Sequence, residues 1–116
     1  MSSFRVLFAG VALAFCAATF AACSSPSSPA APIDDPVLAE GQKIYTQNCA
    51  SCHGASGGGG YGKKLAGVVA TNYPNIDDQI ALIANGKGGM PAFGKKLSPE
   101  QLTAVARYTR EVLGTN

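Results

Sequence analysis

Cys49-Ala50-Ser51-Cys52-His53 constrains this chain more than any other stretch of it. Two thiols a short, fixed distance apart can add to the two vinyl groups of one porphyrin. A histidine placed directly after them is then swung under the ring as the proximal imidazole of the iron, which makes this the pattern of covalent c-type haem attachment. Three other readings compete with it. A chance Cys-x-x-Cys or a thioredoxin-like redox pair needs no histidine, and the redox pair would sit beside a βαβ pattern, which is absent. A zinc site needs a further ligand at sensible spacing, and neither a cysteine nor a second histidine follows downstream.

At 116 residues the chain holds one domain at most, and part of it is not domain. Met1 to Arg5 carries one positive charge, Val6 to Phe20 is an almost unbroken apolar run, and Ala21-Ala22-Cys23 follows. That order describes an export signal over residues 1–22, too short to be read first as a membrane span. Phe20-Ala21-Ala22-Cys23 resembles a bacterial lipobox, with Phe20 where leucine is usual, which implies lipid on Cys23 as the mature N-terminus. Cysteine use then closes: Cys16 leaves with the signal, Cys23 takes lipid, Cys49 and Cys52 take haem, and none remains for a disulfide. Ser24 to Pro32 is an aperiodic Ser/Pro/Ala stretch, so residues 23–34 read as lipidated cysteine plus tether. Nine residues at about 3.1 Å each in a polyproline conformation reach roughly 28 Å, which would hold the folded part near the membrane.

Residues 35–116 form the haem domain, close to the size at which a lone hydrophobic core becomes marginal. A covalently held apolar macrocycle supplies what is missing. The first helix is predicted from Asp35 as N-cap and Pro36 as first helical residue toward Cys49, with Gly41 and Tyr45 on one face. The last helix starts at the Ser98 cap with Pro99 next, and Gln101 completes a capping box. Leu102, Val105, Tyr108 or Thr109, and Val112 repeat along it, with Gly114 as the stop. A middle helix fits Asp77 to Asn85, ended by Gly86, and no segment alternates as a strand would. Gly54 to Gly67 is loop around Gly57-Gly58-Gly59-Gly60; it lacks the P-loop pattern, so a backbone passing close to a haem edge is the expectation.

His53 takes one axial position. Met1 goes with the signal, which leaves Met90 inside Gly88-Gly89-Met90-Pro91-Ala92-Phe93. A methionine flanked by glycines and proline, off any helical stripe, is badly placed as core filler and well placed as a soft sixth ligand.

With these residues in hand, the chain resembles a class I cytochrome c of the small bacterial monohaem type. The resemblance rests on Gly41-x-x-x-Tyr45, Cys49 to Gly54, Leu65-Ala66-Gly67, Met90-Pro91-Ala92-Phe93, and Leu97-Ser98 leading into a helix bearing Tyr108. It covers Val37 to Leu113. It implies an all-α fold, three main helices packed around one covalent haem with Gly-rich loops, and Tyr108 against Gly41 and Tyr45 where the first and last helices cross. It also implies a backbone carbonyl accepting the proximal histidine's Nδ1–H. Many members have Gly-Pro there, and this chain has Gly62-Lys63, which keeps the carbonyl without proline's rigidity.

A six-coordinate iron leaves no open position for substrate, and the only histidine is a ligand, so an enzyme is not expected. The reading is a one-electron carrier cycling between Fe(III) and Fe(II), exported, facing the extracytoplasmic side or periplasm, monomeric, and anchored through Cys23. Its partners would be redox proteins such as a membrane oxidase, reductase or dehydrogenase. Two alternatives stand beside it: a haem-based small-ligand sensor or weak peroxidase through loss of Met90, and a fixed haem subunit of a larger complex. Without Arg5 the balance is eight basic against seven acidic residues, which gives no support to nucleic-acid binding. Lys63, Lys64, Lys87, Lys95 and Lys96 fall in loops flanking the haem segments, where they would steer an acidic partner or merely solvate the loops.

Overall fold

The computed structural model describes residues 33–115. The expected export signal over 1–22, Cys23 and the expected tether up to Pro32 lie outside the described residues.

Five α-helices follow in order: α1 (Pro36–Asn48), α2 (Ala50–His53), α3 (Val69–Asn72), α4 (Ile76–Asn85) and α5 (Pro99–Glu111), with a 3-10 turn at Leu113–Thr115. Among the described residues there is no strand, only an isolated antiparallel bridge between Lys87 and Met90. The fold is all-α, and α1, α4 and α5 are its three long helices, as expected.

Local chemistry sets where the helices begin. Asp35 is non-helical, and its carboxylate accepts from the backbone N–H groups of Val37 at 2.8 Å and Leu38 at 3.4 Å. Those bonds to the charged form, led by Val37 and helped by Arg107, hold the Asp35 carboxyl below its ordinary range. Ser98 caps α5 through a complete capping box: its hydroxyl accepts from Gln101 N–H, and the Gln101 side chain accepts from Ser98 N–H.

Two boundaries differ from the sequence reading. Asn75 caps the middle helix by accepting from Asp77 N–H, so α4 starts one residue early, at Ile76. The last helix stops at Glu111 rather than at Gly114. Leu113 is 2% exposed, and its carbonyl accepts from Gly67 N–H at 3.2 Å. Tertiary burial of Leu113 thus bends the chain out of α geometry before the glycine is reached, and Gly114 takes no positive φ. The single turns α2 and α3 were not anticipated, because four residues carry no readable period.

The core lies where α1 and α5 cross. It gathers Ile44 and Tyr45 from α1, Leu102, Ala104, Val105, Ala106 and Tyr108 from α5, and Ile83, Phe93 and Leu113 around them. Gly41 sits at the crossing. A Cβ there would overlap the Ala104 carbonyl and come within 2.8 Å of Tyr108 Cβ. The rings of Tyr45 and Tyr108 stack beside it, tilted, with centroids 5.5 Å apart. The expected contact of Tyr108 with Gly41 and Tyr45 is present.

α4 is tied to α5 by a buried polar clasp. Gln79, 4% exposed, donates to Thr109 Oγ1 at 2.7 Å and accepts from Arg110 Nη1 at 3.1 Å. Arg110 also donates to the carbonyls of Tyr73 and Pro74. Each buried group has a partner, so the clasp escapes the penalty of an unmade hydrogen bond.

The crossing makes a stability prediction. Gly41→Val should force α1 off α5 and lower the unfolding free energy by roughly 1–3 kcal/mol, as overpacked contacts do. Denaturant titration of the holoprotein checks it; an unchanged midpoint would mean that the crossing tolerates a side chain.

Candidate haem site

α1 ends where the chemistry begins. The Cys49 N–H still donates to the Tyr45 carbonyl at 2.8 Å, and the chain then makes one further turn, α2. Within it the N–H groups of Cys52 and His53 both donate to the Cys49 carbonyl, at 3.1 and 2.9 Å. Cys49, Cys52 and His53 therefore project from a single turn at the end of a long helix. Cys49 is half-buried against the core, Cys52 is exposed, and both thiols are free. Burial first, and the neighbouring Cys52 second, push the Cys49 thiol up to about 11, with Lys96 pulling the other way.

Three contacts hold this turn in place. Tyr45, 1% exposed, donates from its hydroxyl to the Gly54 carbonyl at 2.7 Å, so a core side chain pins the residue after His53. Desolvation of that hydroxyl raises it to about 12, which keeps it protonated as a donor. His53 Nδ1 lies 2.7 Å from the Lys63 carbonyl. A carbonyl can only accept, so Nδ1 carries the proton and Nε2 keeps its lone pair free for a metal. The carbonyl next to Gly62 thus keeps its role with lysine in proline's place. Gly62 is the third contact: a Cβ there would stand 2.7 Å from both Nδ1 and Cε1 of the imidazole, so only glycine lets the loop carbonyl reach the ring.

The glycine-rich loop closes over the turn by backbone bonds. Gly59 N–H donates to the His53 carbonyl and Gly62 N–H to the Cys52 carbonyl, both at 2.8 Å. Leu65 and Ala66 donate to the Gly57 carbonyl. A Cβ on Gly60 would lie 3.0 Å from the Cys52 carbonyl oxygen, so this glycine lets the loop pass close to the motif's own backbone.

Met90 is presented by a tight turn. Lys87 and Met90 exchange both backbone hydrogen bonds, at 3.1 and 3.0 Å. The chain that follows is fastened to the last turn of α4, with Phe93 N–H on the Ile83 carbonyl and Gly94 N–H on the Ala84 carbonyl. Met90 and Cys49 both pack against the same core cluster, the sulfur-bearing side chains thus bordering one apolar region.

These residues fit a haem: a histidine with a fixed tautomer and a free Nε2, two free thiols on one turn, and a methionine on a rigid turn against the shared core. A zinc centre finds no such support, since no group of three or more His, Cys, Asp or Glu side chains converges among the described residues. The sequence reading singled out Cys49, Cys52, His53 and Met90 as candidates; it missed Tyr45 as the donor to Gly54, for which no sequence signal exists.

Known proteins resemble the chain over the same residues. Residues 36–108 match the family model described as cytochrome C oxidase, cbb3-type, subunit III. Cytochrome c6 of Leptolyngbya boryana is 38% identical over 73 residues, covering 60% of this chain and 86% of that protein. The FixP subunit of a cbb3-type cytochrome c oxidase from Azorhizobium caulinodans is 36% identical over 91 residues, 75% of this chain and 31% of that protein. Among solved structures, cytochrome c6C from Synechococcus sp. PCC 7002 superimposes with a TM-score of 0.58 at 33% identity, covering 66% of this chain and 98% of that one. The chain belongs to the cytochrome c family, as a small monohaem c-type cytochrome of class I. It carries one covalently attached haem c and works as a haem-based electron carrier rather than as an enzyme.

Gly62→Ala tests the contact that orients the ring. Its Cβ should drive His53 off the Lys63 carbonyl, lowering holoprotein stability by roughly 1–3 kcal/mol as overpacking does. It should also shift the haem absorption bands. An alanine variant with unchanged bands and unfolding midpoint would show that the ring does not depend on this approach.

Proposed function

We propose that Cys49 and Cys52 hold the haem by thioether bonds, and that His53 and Met90 are its axial ligands. The observation that carries this is the His53 contact to the Lys63 carbonyl, which leaves Nε2 as the ring's only metal donor. When bound, the haem supplies the one-electron Fe(III)/Fe(II) couple. The chain's part is to keep both donors in one place in both states: Tyr45, Gly62 and Lys63 fix the histidine, and the Lys87–Met90 turn fixes the backbone that carries the thioether. A soft sulfur ligand raises the reduction potential. The likeness to the FixP subunit supports a membrane oxidase as one class of partner.

An optical redox titration of the purified protein should give a single reversible one-electron transition, and the reduced protein should take up no carbon monoxide near neutral pH. Ready carbon monoxide binding would favour a ligand-sensing or peroxidase role instead. The oxidised protein should show the weak near-infrared band of sulfur ligation. Met90→Ala should abolish that band and lower the potential; an unchanged spectrum would remove Met90 from the iron.

We further propose that residues 1–22 are an export signal and that lipid on Cys23 anchors the haem domain of residues 35–116 through the tether at 23–34, on the extracytoplasmic side. No helix among the described residues is long and apolar enough to cross a membrane. Two or more acyl chains bind stably, at about 0.8 kcal/mol per buried methylene, where a single chain is marginal. The wild-type protein should resist a high-salt wash and leave the membrane with detergent, whereas Cys23→Ser should be released still carrying haem. A wild type already free of the membrane, or a bound mutant, would contradict the anchor.

A further inference from the structure

Tyr61 has no place in the site described above, yet it stands in the middle of it. Its side chain is 100% exposed, and Val37 at 40% is the other large exposed hydrophobic among the described residues. An exposed side chain on a loose loop would mean little. This loop is not loose. On one side of Tyr61, Gly59 N–H donates to the His53 carbonyl and Gly60 N–H to the Gly62 carbonyl. On the other, Gly62 N–H donates to the Cys52 carbonyl and the Lys63 carbonyl accepts from His53. The backbone is thus stapled to the haem motif on both flanks while the ring is held out in water. Glycine on each side of it, at positions 60 and 62, is explained by close approach to Cys52 and His53. Nothing in the fold explains an aromatic ring between them.

The charged residues of its own segment have one sign. Lys63 and Lys64 follow directly and are exposed, and Lys96, also exposed, lies close enough to Cys49 to act on its thiol. No Asp or Glu occurs between Glu40 and Asp77, or between Asp78 and Glu100. An aromatic anchor on a rigid support, with two lysines close behind it in the chain, has the composition of an interface hot spot, because little conformational freedom is lost when it docks. The lysines would speed and orient the encounter, and the ring would hold it.

We propose that Tyr61, with Lys63 and Lys64, is the docking anchor for a redox protein that presents an apolar recess rimmed by acidic side chains, placing that partner against the Cys52 edge of the haem. This rests on the electron-carrier reading and adds the partner's surface chemistry. The exchange moves one electron between the two proteins, and no atom or proton is transferred.

The test uses the full-length holoprotein and two oxidants: an acidic blue-copper electron-transfer protein in its copper(II) form, and the ferrocenium form of ferrocenemethanol, which needs no docking surface. Stopped-flow oxidation of reduced wild type by the copper protein should slow as salt is raised. Tyr61→Ala should cut the low-salt rate about tenfold, the scale of a truncated aromatic anchor, and Tyr61→Phe should keep it. Lys64→Glu should weaken the salt dependence. In all variants the reaction with the small oxidant and the near-infrared band should stay as in wild type. The proposal is overturned if Tyr61→Ala reacts with the copper protein at the wild-type rate. It is also overturned if that variant slows equally with the small oxidant, which would make Tyr61 a haem-packing residue. A wild type that exchanges no electron even with the small oxidant would sink the carrier reading, and the docking proposal with it.

Discussion

Everything in this fold is arranged around one imidazole whose orientation is decided by a backbone carbonyl. The 2.7 Å bond from His53 Nδ1–H to the Lys63 carbonyl fixes the tautomer, and the tautomer decides which nitrogen faces a metal. That bond needs Gly62, because any side chain there would meet the ring. It needs the loop to fold back on the motif, with Gly59 donating to the His53 carbonyl and Gly62 to the Cys52 carbonyl. It also needs the turn itself to be anchored, which Tyr45 does from the core through Gly54.

The same core ties the two ligand-bearing regions together. α1 leads into the turn that carries the cysteines and histidine, α4 leads into the turn that presents Met90, and α5 packs on both long helices. The Gly41 crossing joins α1 to α5, and the Gln79–Thr109–Arg110 clasp joins α4 to α5. The proposed ligation calls for donors that barely move between oxidation states, and this connectivity joins the turns bearing His53 and Met90 to one packed body rather than to two independent loops. A domain this small has a marginal core of its own, so a covalently bound apolar cofactor also contributes to the folded state.

Wherever residues a few positions apart decide the structure, the sequence was readable. Asp35-Pro36 and Ser98-Pro99 with Gln101 start their helices at the expected residues, because caps are local side-chain-to-backbone bonds. The haem motif and Met90 were legible because their chemistry dictates spacing and residue type. The Tyr108 contact with Gly41 came only from family resemblance, since a glycine alone does not say what packs on it. What could not be read depends on distant partners: Leu113 ending α5 early to reach its buried site, Gln79 burying a polar group against Thr109, and the Tyr45 hydroxyl finding Gly54. The four-residue helices α2 and α3 are too short to show a period.

Peptide mapping of the holoprotein tests the central claim most directly. Cleavage after Lys43 and Lys63 isolates Ile44–Lys63, which contains both Cys49 and Cys52 and no other cysteine. The account predicts that this single peptide carries the mass of one haem after acid–acetone extraction, with neither thiol open to alkylation. A haem that extracts freely, leaving Cys49 and Cys52 both alkylated, would contradict it.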